Sequence, residues 1–137
     1  MECIFCKIIN GDIPSYKVYE DEFVIAILDI SQATKGHTLV IPKTHCKNLY
    51  ELDGVLASEI FKVIPKLANA IKSAFNSIGL NLLINTEKPL QSVNHFHIHL
   101  IPRYENDSVE MNFVNNQSNM NHEIYSEIQK SIQRMVR

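Results

Sequence analysis

The sequence predicts an α+β domain: a mostly antiparallel five-stranded sheet with one main helix and short helices at the two ends. Three observations predict it. Five short β-rich segments are separated by turn residues. Between Ser58 and Ile78 the apolar residues Ile60, Ile64, Leu67, Ile71, Phe75 and Ile78 recur at spacings of three and four, the period of a helix with one buried stripe. Both ends carry apolar runs suited only to a few helical turns. With 137 residues, 45% of them hydrophobic, the chain can bury a core as one domain without disulfide help.

Taken in order, Ile4 to Ile9 is apolar and stops at Gly11-Asp12-Ile13-Pro14, a turn following one or two helical turns. Two extended segments follow, Lys17 to Glu20 and Phe23 to Asp29. The second is too continuously apolar for a strand with one wet face, which places it inside the sheet. After a polar loop from Ser31 to Gly36, His37 to Ile41 is a third strand, stopped by Pro42, which has no ladder donor. Pro65 means that the main helix is either kinked there or begins near it, a kink being expected, and Gly79 marks its stop. The last two strands are expected at Asn81 to Asn85 and His95 to Pro102. Glu105 to Asn119 is polar and asparagine-rich and reads as an arm. Ile124, Ile128 and Ile132 then mark a narrow amphipathic helix over 120–136. No internal repeat or domain boundary interrupts residues 1–137, whose core spans about 2–104.

Thirteen Lys and Arg against fifteen Asp and Glu leave a net charge of -2, so a long nucleic acid held through its phosphates is not an expected partner. A small anionic ligand is compatible. No apolar run approaches the roughly 20 residues of a membrane span, and Met1-Glu2-Cys3 lacks the basic start of a signal peptide, so no membrane association and a cytoplasmic location are expected. Cys3 and Cys6 form a C-x-x-C pair, which alone suits a metal, a redox couple or two buried thiols; Cys46 is left over.

The most informative segment is His95-Phe96-His97-Ile98-His99-Leu100-Ile101. In a strand, three imidazoles at alternate positions point to one face while Phe96, Ile98 and Leu100 point to the other. Neighbouring histidines would stand about 6.6 Å apart, close enough to share one elongated site with divided tasks. A lone histidine is more often a solvated or packed residue, and three together suit either a metal or a nucleophile with helpers.

This segment resembles the motif of the histidine-triad (HIT) family, His-φ-His-φ-His-φ-φ with φ apolar. The resemblance extends from Cys3-Ile4-Phe5-Cys6-Lys7-Ile8-Ile9 through Leu28-Asp29-Ile30 and Lys35-Gly36-His37-Thr38-Leu39-Val40-Ile41-Pro42-Lys43 to Gln91-Ser92-Val93 and Ile101-Pro102-Arg103. It covers residues 2–104 and not the tail. It implies a HIT-like fold, a homodimer joined by strand and helix pairing, and a purine nucleotide or nucleotide conjugate as ligand. It also implies hydrolysis at the α-phosphate with His97 as nucleophile, since a neutral imidazole keeps a lone pair at physiological pH. By the same resemblance His99 donates to phosphate oxygens, His37 closes the site, and Ser92 and Asn85 serve the phosphate and leaving group. Val93 borders them, Ile4, Phe5, Ile8 and Ile27 surround the base, and Asp29 accepts from the ribose hydroxyls. Related activities, a dinucleoside polyphosphate hydrolase, a nucleotidyl transferase or a non-catalytic nucleotide binder, fit the same residues.

Bacterial members resembling this chain carry a structural zinc, one per chain, on two cysteines and two histidines, here Cys3, Cys6, His45 and His95. A closed four-ligand site has no open position for substrate, so such a zinc is not catalytic. One departure stands out: where relatives have small, glycine-rich residues before Gln91-Ser92, this chain has Glu87-Lys88-Pro89-Leu90. Pro89 offers no N–H and Leu90 disfavours the left-handed conformation, so a different loop is expected.

Overall fold

The computed structural model describes residues 2–136; Met1 and Arg137 lie outside them. Five strands form one antiparallel sheet in the order β1-β2-β3-β5-β4, with β1 at Lys17–Glu20, β2 at Val24–Leu28, β3 at Thr38–Pro42, β4 at Gly79–Leu83 and β5 at Ile98–Arg103. The predicted fold class is found. β2 is flanked by strands on both sides, as its unbroken apolar run requires.

Each face of the sheet has its own cover. On one, the long helix α2 (Gly54–Phe75) packs Leu56, Ile60, Val63, Ile64 and Leu67 against Val24, Ala26, Val40, Phe96, Ile98 and Leu100. On the other, the short helix α1 (Ile4–Ile9) and Cys3 pack Phe5 against Ile25, Ile27, Leu39 and Ile41. The alternation along 95–100 therefore holds: Phe96, Ile98 and Leu100 serve the α2 face, which leaves the three histidines for the α1 side.

Several boundaries differ from the sequence reading, each for a local reason. α2 starts four residues before Ser58, because Asp53 caps it by accepting from Leu56 N, and it passes through Pro65 as one element instead of beginning there. Its end is set by Asn76 in the left-handed region (φ 53°), not by Gly79, which opens β4. β4 therefore ends at Leu83, and Asn85 falls in the following loop. β5 begins only at Ile98, so His95 and His97 precede the strand. β3 pairs with it at Thr38, Leu39 and Val40 and no further. Beyond that point Phe96 N bonds to Cys46 O, and the Pro42 carbonyl accepts from His95 Nε2.

The loop before the histidines spares Leu90 the left-handed conformation that it disfavours. The left-handed residue is Glu87 (φ 68°), not Leu90, and buried Gln91 braces the turn: its Oε1 accepts from Glu87 N while Nε2 donates to Lys47 O and Val93 O. The C-terminal helix α3 (His122–Met135) forms where its isoleucines predicted it, capped by Asn121 and burying no residue of its own. None of the described helices is long and apolar enough to cross a membrane.

Candidate functional site

Two clusters flank the buried ring of His97. In the first, one sulfur or ring nitrogen from each of Cys3, Cys6, His45 and His95 lies within 4.8 Å of the other three. Cys3 Sγ is 3.4 Å from His95 Nδ1, Cys6 Sγ 3.4 Å from His45 Nδ1 and 3.6 Å from His95 Nδ1, and the two Nδ1 atoms are 3.1 Å apart. A tetrahedral zinc with bonds of about 2.0–2.3 Å requires ligand atoms about 3.3–3.8 Å apart. These four separations fit a metal of that geometry to within a few tenths of an ångström.

The tautomer of His95 fits as well. Its Nε2–H donates to Pro42 O at 2.8 Å, which leaves the Nδ1 lone pair directed at the cysteines. Such an outer hydrogen bond orients a metal-binding imidazole, and here it ties the His95 segment to the end of β3. All four residues expected from the C-x-x-C pair and the family resemblance are thus brought together.

The second cluster joins Asp29, His37 and His99. Ala33 N donates to His37 Nδ1 at 3.1 Å, so the His37 proton sits on Nε2. That nitrogen is 2.9 Å from His99 Nδ1 and donates to it, which puts the His99 proton on its own Nε2. Asp29 Oδ2 lies 3.5 Å from His37 Nε2 and 3.8 Å from His99 Nδ1, while Oδ1 accepts from Ser31 N and Oγ. This wiring makes Ala33 N, His37 and His99 a hydrogen-bond relay with the Asp29 carboxylate beside it; a metal on His37 Nε2 would have to displace the proton it donates.

His97 stands between the clusters, its ring centroid 5.0 Å from those of both Phe5 and His99. Its Nδ1–H donates to His95 O at 2.8 Å, leaving Nε2 with a lone pair. Burial lowers its pKa, partly opposed by that hydrogen bond and by Asp29. His99 is lowered to about 4 by burial, then by the charges of His97 and His37. Burial lowers His37 against the pull of Asp29. At Asp29 burial is outweighed by the two Ser31 hydrogen bonds and the neighbouring imidazoles, so the carboxyl is held below its usual range.

A stability consequence follows from His99. Its folded pKa lies below the ordinary 6.5, so the unfolded chain binds the proton first, and stability is lost as pH falls from about 6.5 to about 4. Urea midpoints measured between pH 7.5 and 4.5 should fall by the equivalent of about 3 kcal/mol, with a shallower fall in His99→Gln. Equal slopes in the two proteins would refute the assignment.

The residues expected around a nucleobase are divided. Ile8 and Ile27 line a mostly apolar cavity of about 330 Å³ with Pro14, Ser15, Tyr16, Leu28 and Ile30. Phe5 instead lies under the rings of His95 and His97, and Ile4 lines a separate cavity of about 390 Å³ with Cys3, His45, Ser92, Val93 and Asn94. Asn85 is half-buried in the loop after β4. Tyr16 and Ile30 were missed. They meet only because Leu28 N bonds to Tyr16 O across the first hairpin, and no sequence pattern marks that pairing.

The model of the HIT domain matches residues 10–106. This chain belongs to the HIT family. The Bacillus subtilis protein Hit is 65% identical over 103 residues, 74% of this chain and 71% of that protein. An adenylylsulfatase of Arabidopsis thaliana is 41% identical over 107 residues, 77% of this chain and 54% of its own. The adenosine 5'-monophosphoramidase of Schizosaccharomyces pombe is 40% identical over 104 residues, 75% of each chain. The crystal structure of a Bacillus subtilis HIT family member has a TM-score of 0.97 at 50% identity, covering 100% of this chain and 99% of that one. A zinc-bound histidine-triad protein of Mycobacterium smegmatis has a TM-score of 0.75 at 32% identity, covering 96% and 98%. HIT relatives of this chain thus include hydrolases named for adenylyl compounds with different leaving groups, and one structure with zinc.

Proposed function

We propose that this HIT protein hydrolyses a purine nucleoside phosphoramidate, or a related nucleotide conjugate, at the α-phosphate through a nucleotidyl intermediate on His97. The observation that carries the reading is the pair of ring tautomers. His97 presents a lone pair at Nε2 because its Nδ1–H is committed to His95 O, and His99 presents an N–H at Nε2 because His37 donates to its Nδ1. A nucleophile and a donor side by side, both neutral at physiological pH, are what in-line displacement at phosphorus needs.

In the first step the Nε2 lone pair of His97 attacks the α-phosphorus. The bond to the leaving nitrogen or oxygen breaks with its electron pair, and that atom takes a proton from the Ser92 hydroxyl, which draws one in turn from solvent. His99 Nε2–H stabilises the charge on the non-bridging oxygens. In the second step water attacks the same phosphorus and gives up a proton to solvent, restoring the one drawn in the first step; the P–N bond returns its electrons to His97 and the nucleoside monophosphate departs. Ser92, Val93 and Asn85 serve the phosphate and leaving-group side, with His37 orienting His99. Asp29 Oδ2 accepts from the ribose hydroxyls, and the base rests against Ile8 and Ile27, with Ile4 and Phe5 bordering the site. The two adenylyl hydrolases among the relatives support this substrate class.

Cys3, Cys6, His45 and His95 are read as the holders of one structural zinc, which would tie the N-terminal segment to the sheet. The reading also includes a homodimer. β4 is a free sheet edge with Leu82 and Leu83 exposed, and on α2 Phe61 is exposed as well, surfaces suited to pairing strand and helix across a twofold. Sedimentation should give twice the mass of one chain at micromolar concentration, and a monomer mass would remove the dimer.

The reaction is tested by rapid quenching with an adenosine phosphoramidate labelled at the α-phosphate. Acid-labile label on the protein and release of adenosine monophosphate are expected. Tight nucleotide binding with neither label nor turnover would leave a binding protein in place of an enzyme.

A further inference from the structure

We infer that Gln32 is a positioning residue that holds His37, and through it His99, in the tautomer the reaction uses; this rests on the function proposed above. Three hydrogen bonds from one half-buried amide single it out. Gln32 Nε2 donates to Asp29 O and to His37 O, both at 2.7 Å, and Oε1 accepts from Gly36 N at 2.9 Å. The side chain thus ties together the two ends of the 29–37 loop, whose termini carry both partners of His99.

The backbone places it for this task. Gln32 has φ 42°, in the left-handed region that a residue with a Cβ seldom adopts, and the next amide, Ala33 N, is the one that donates to His37 Nδ1. The other end of the loop is equally constrained. Gly36 has φ 99°, and a Cβ there would approach the Phe75 ring to 3.0 Å and Pro102 to 3.3 Å. Thr34 Oγ1 donates to Pro102 O and His37 N to Thr34 O, so the outer part of the loop is anchored without Gln32; the Gln32 amide is the one side chain that joins Asp29 O, Gly36 N and His37 O on the inner side. Loss of that brace loosens the turn that aims the Ala33 amide at His37 Nδ1, and with it the bias that keeps the His99 proton on Nε2.

The donors, not the volume, are what matter. Gln32→Glu keeps the shape and the acceptor toward Gly36 N but sets a carboxylate oxygen against two carbonyl oxygens. If Gln32 only fills space, Gln32→Glu will behave like the wild type. If it positions, Gln32→Glu will be at least as damaging as Gln32→Ala.

Two readouts are measured on the full chain: kcat and KM with the adenosine phosphoramidate, and the ¹⁵N signals of the His37 and His99 rings. We expect kcat to fall about 10- to 100-fold in both variants. The wild-type rings should show protonated Nε2 and accepting Nδ1, with a through-hydrogen-bond coupling from His37 Nε2 to His99 Nδ1 that both variants lose. Unchanged ring signals in Gln32→Glu would overturn the inference whatever the rates do. If Gln32→Ala does not fold, the isosteric Gln32→Glu and the wild-type coupling still decide. If the wild type has no turnover, the enzymatic reading fails, while the ring signals judge Gln32 independently.

Discussion

His97→Ala should abolish turnover, lowering kcat/KM on the order of 10⁴-fold or more, while nucleotide affinity stays within about threefold of the wild type. The asymmetry follows from what the ring does. Its Nε2 lone pair is the atom expected to bond phosphorus, and neighbouring side chains cannot stand in for it: Phe5 has no lone pair, and His99 Nε2 holds a proton. His99→Ala removes a charge-stabilising donor and leaves the nucleophile, so a smaller loss of about 10²–10³-fold is expected. The order of the two effects therefore assigns the roles. Stopped-flow rates on the two variants, with titration calorimetry of adenosine monophosphate, provide the comparison. Turnover retained in His97→Ala would remove the covalent mechanism, and losses of equal size would leave nucleophile and helper unassigned. Because the His97 ring is buried against Phe5, truncation also leaves a cavity, and a thermal melt separates lost chemistry from lost fold.

Metal removal should produce the largest change in stability. Cys3 and Cys6 precede the sheet, while His45 and His95 lie on segments that flank it, so one ion would close a loop spanning residues 3–95. Metal sites on which a whole fold depends supply roughly 10–16 kcal/mol. Here both sheet faces have apolar cores of their own, so the domain should remain folded with a smaller loss. Stripping the metal with a strong chelator, or replacing Cys3 with Ser, is expected to cost about 3–5 kcal/mol and to lower Tm by roughly 10–15 °C. Elemental analysis should find one zinc per chain in the wild type and less than a tenth of that in Cys3→Ser. An unchanged Tm after complete removal would refute a structural role. Turnover should fall along with stability, because the His95 that would bind the metal through Nδ1 also supplies the carbonyl that fixes the His97 tautomer. The chelated protein should lose more activity than its residual folded fraction explains.

The alternation of His95, His97 and His99 with Phe96, Ile98 and Leu100 was legible in the sequence because it depends only on successive residues pointing to opposite faces, a property of extended backbone. The apolar continuity of Val24 to Leu28 showed a strand buried on both faces for the same local reason, as did the three- and four-residue spacing along α2. The full set of four candidate metal ligands and His37 became legible only through resemblance to a family: neither the separation of 92 positions from Cys3 to His95 nor that of 62 from His37 to His99 carries a periodic signal.

Where β5 begins, which way each ring is protonated, and which residues line the apolar cavity beside Ile8 and Ile27 were decided by tertiary structure. The β3–β5 ladder stops because the Pro42 carbonyl is taken by a side chain 53 residues away. The His99 proton is placed by a relay that starts at the Ala33 amide. Tyr16 reaches the cavity through a hairpin bond to Leu28. Local sequence determines which side chains share a face, because that is a property of the repeating backbone. Which donor meets which acceptor depends on segments brought together when the sheet closes, and no spacing along the chain encodes that meeting.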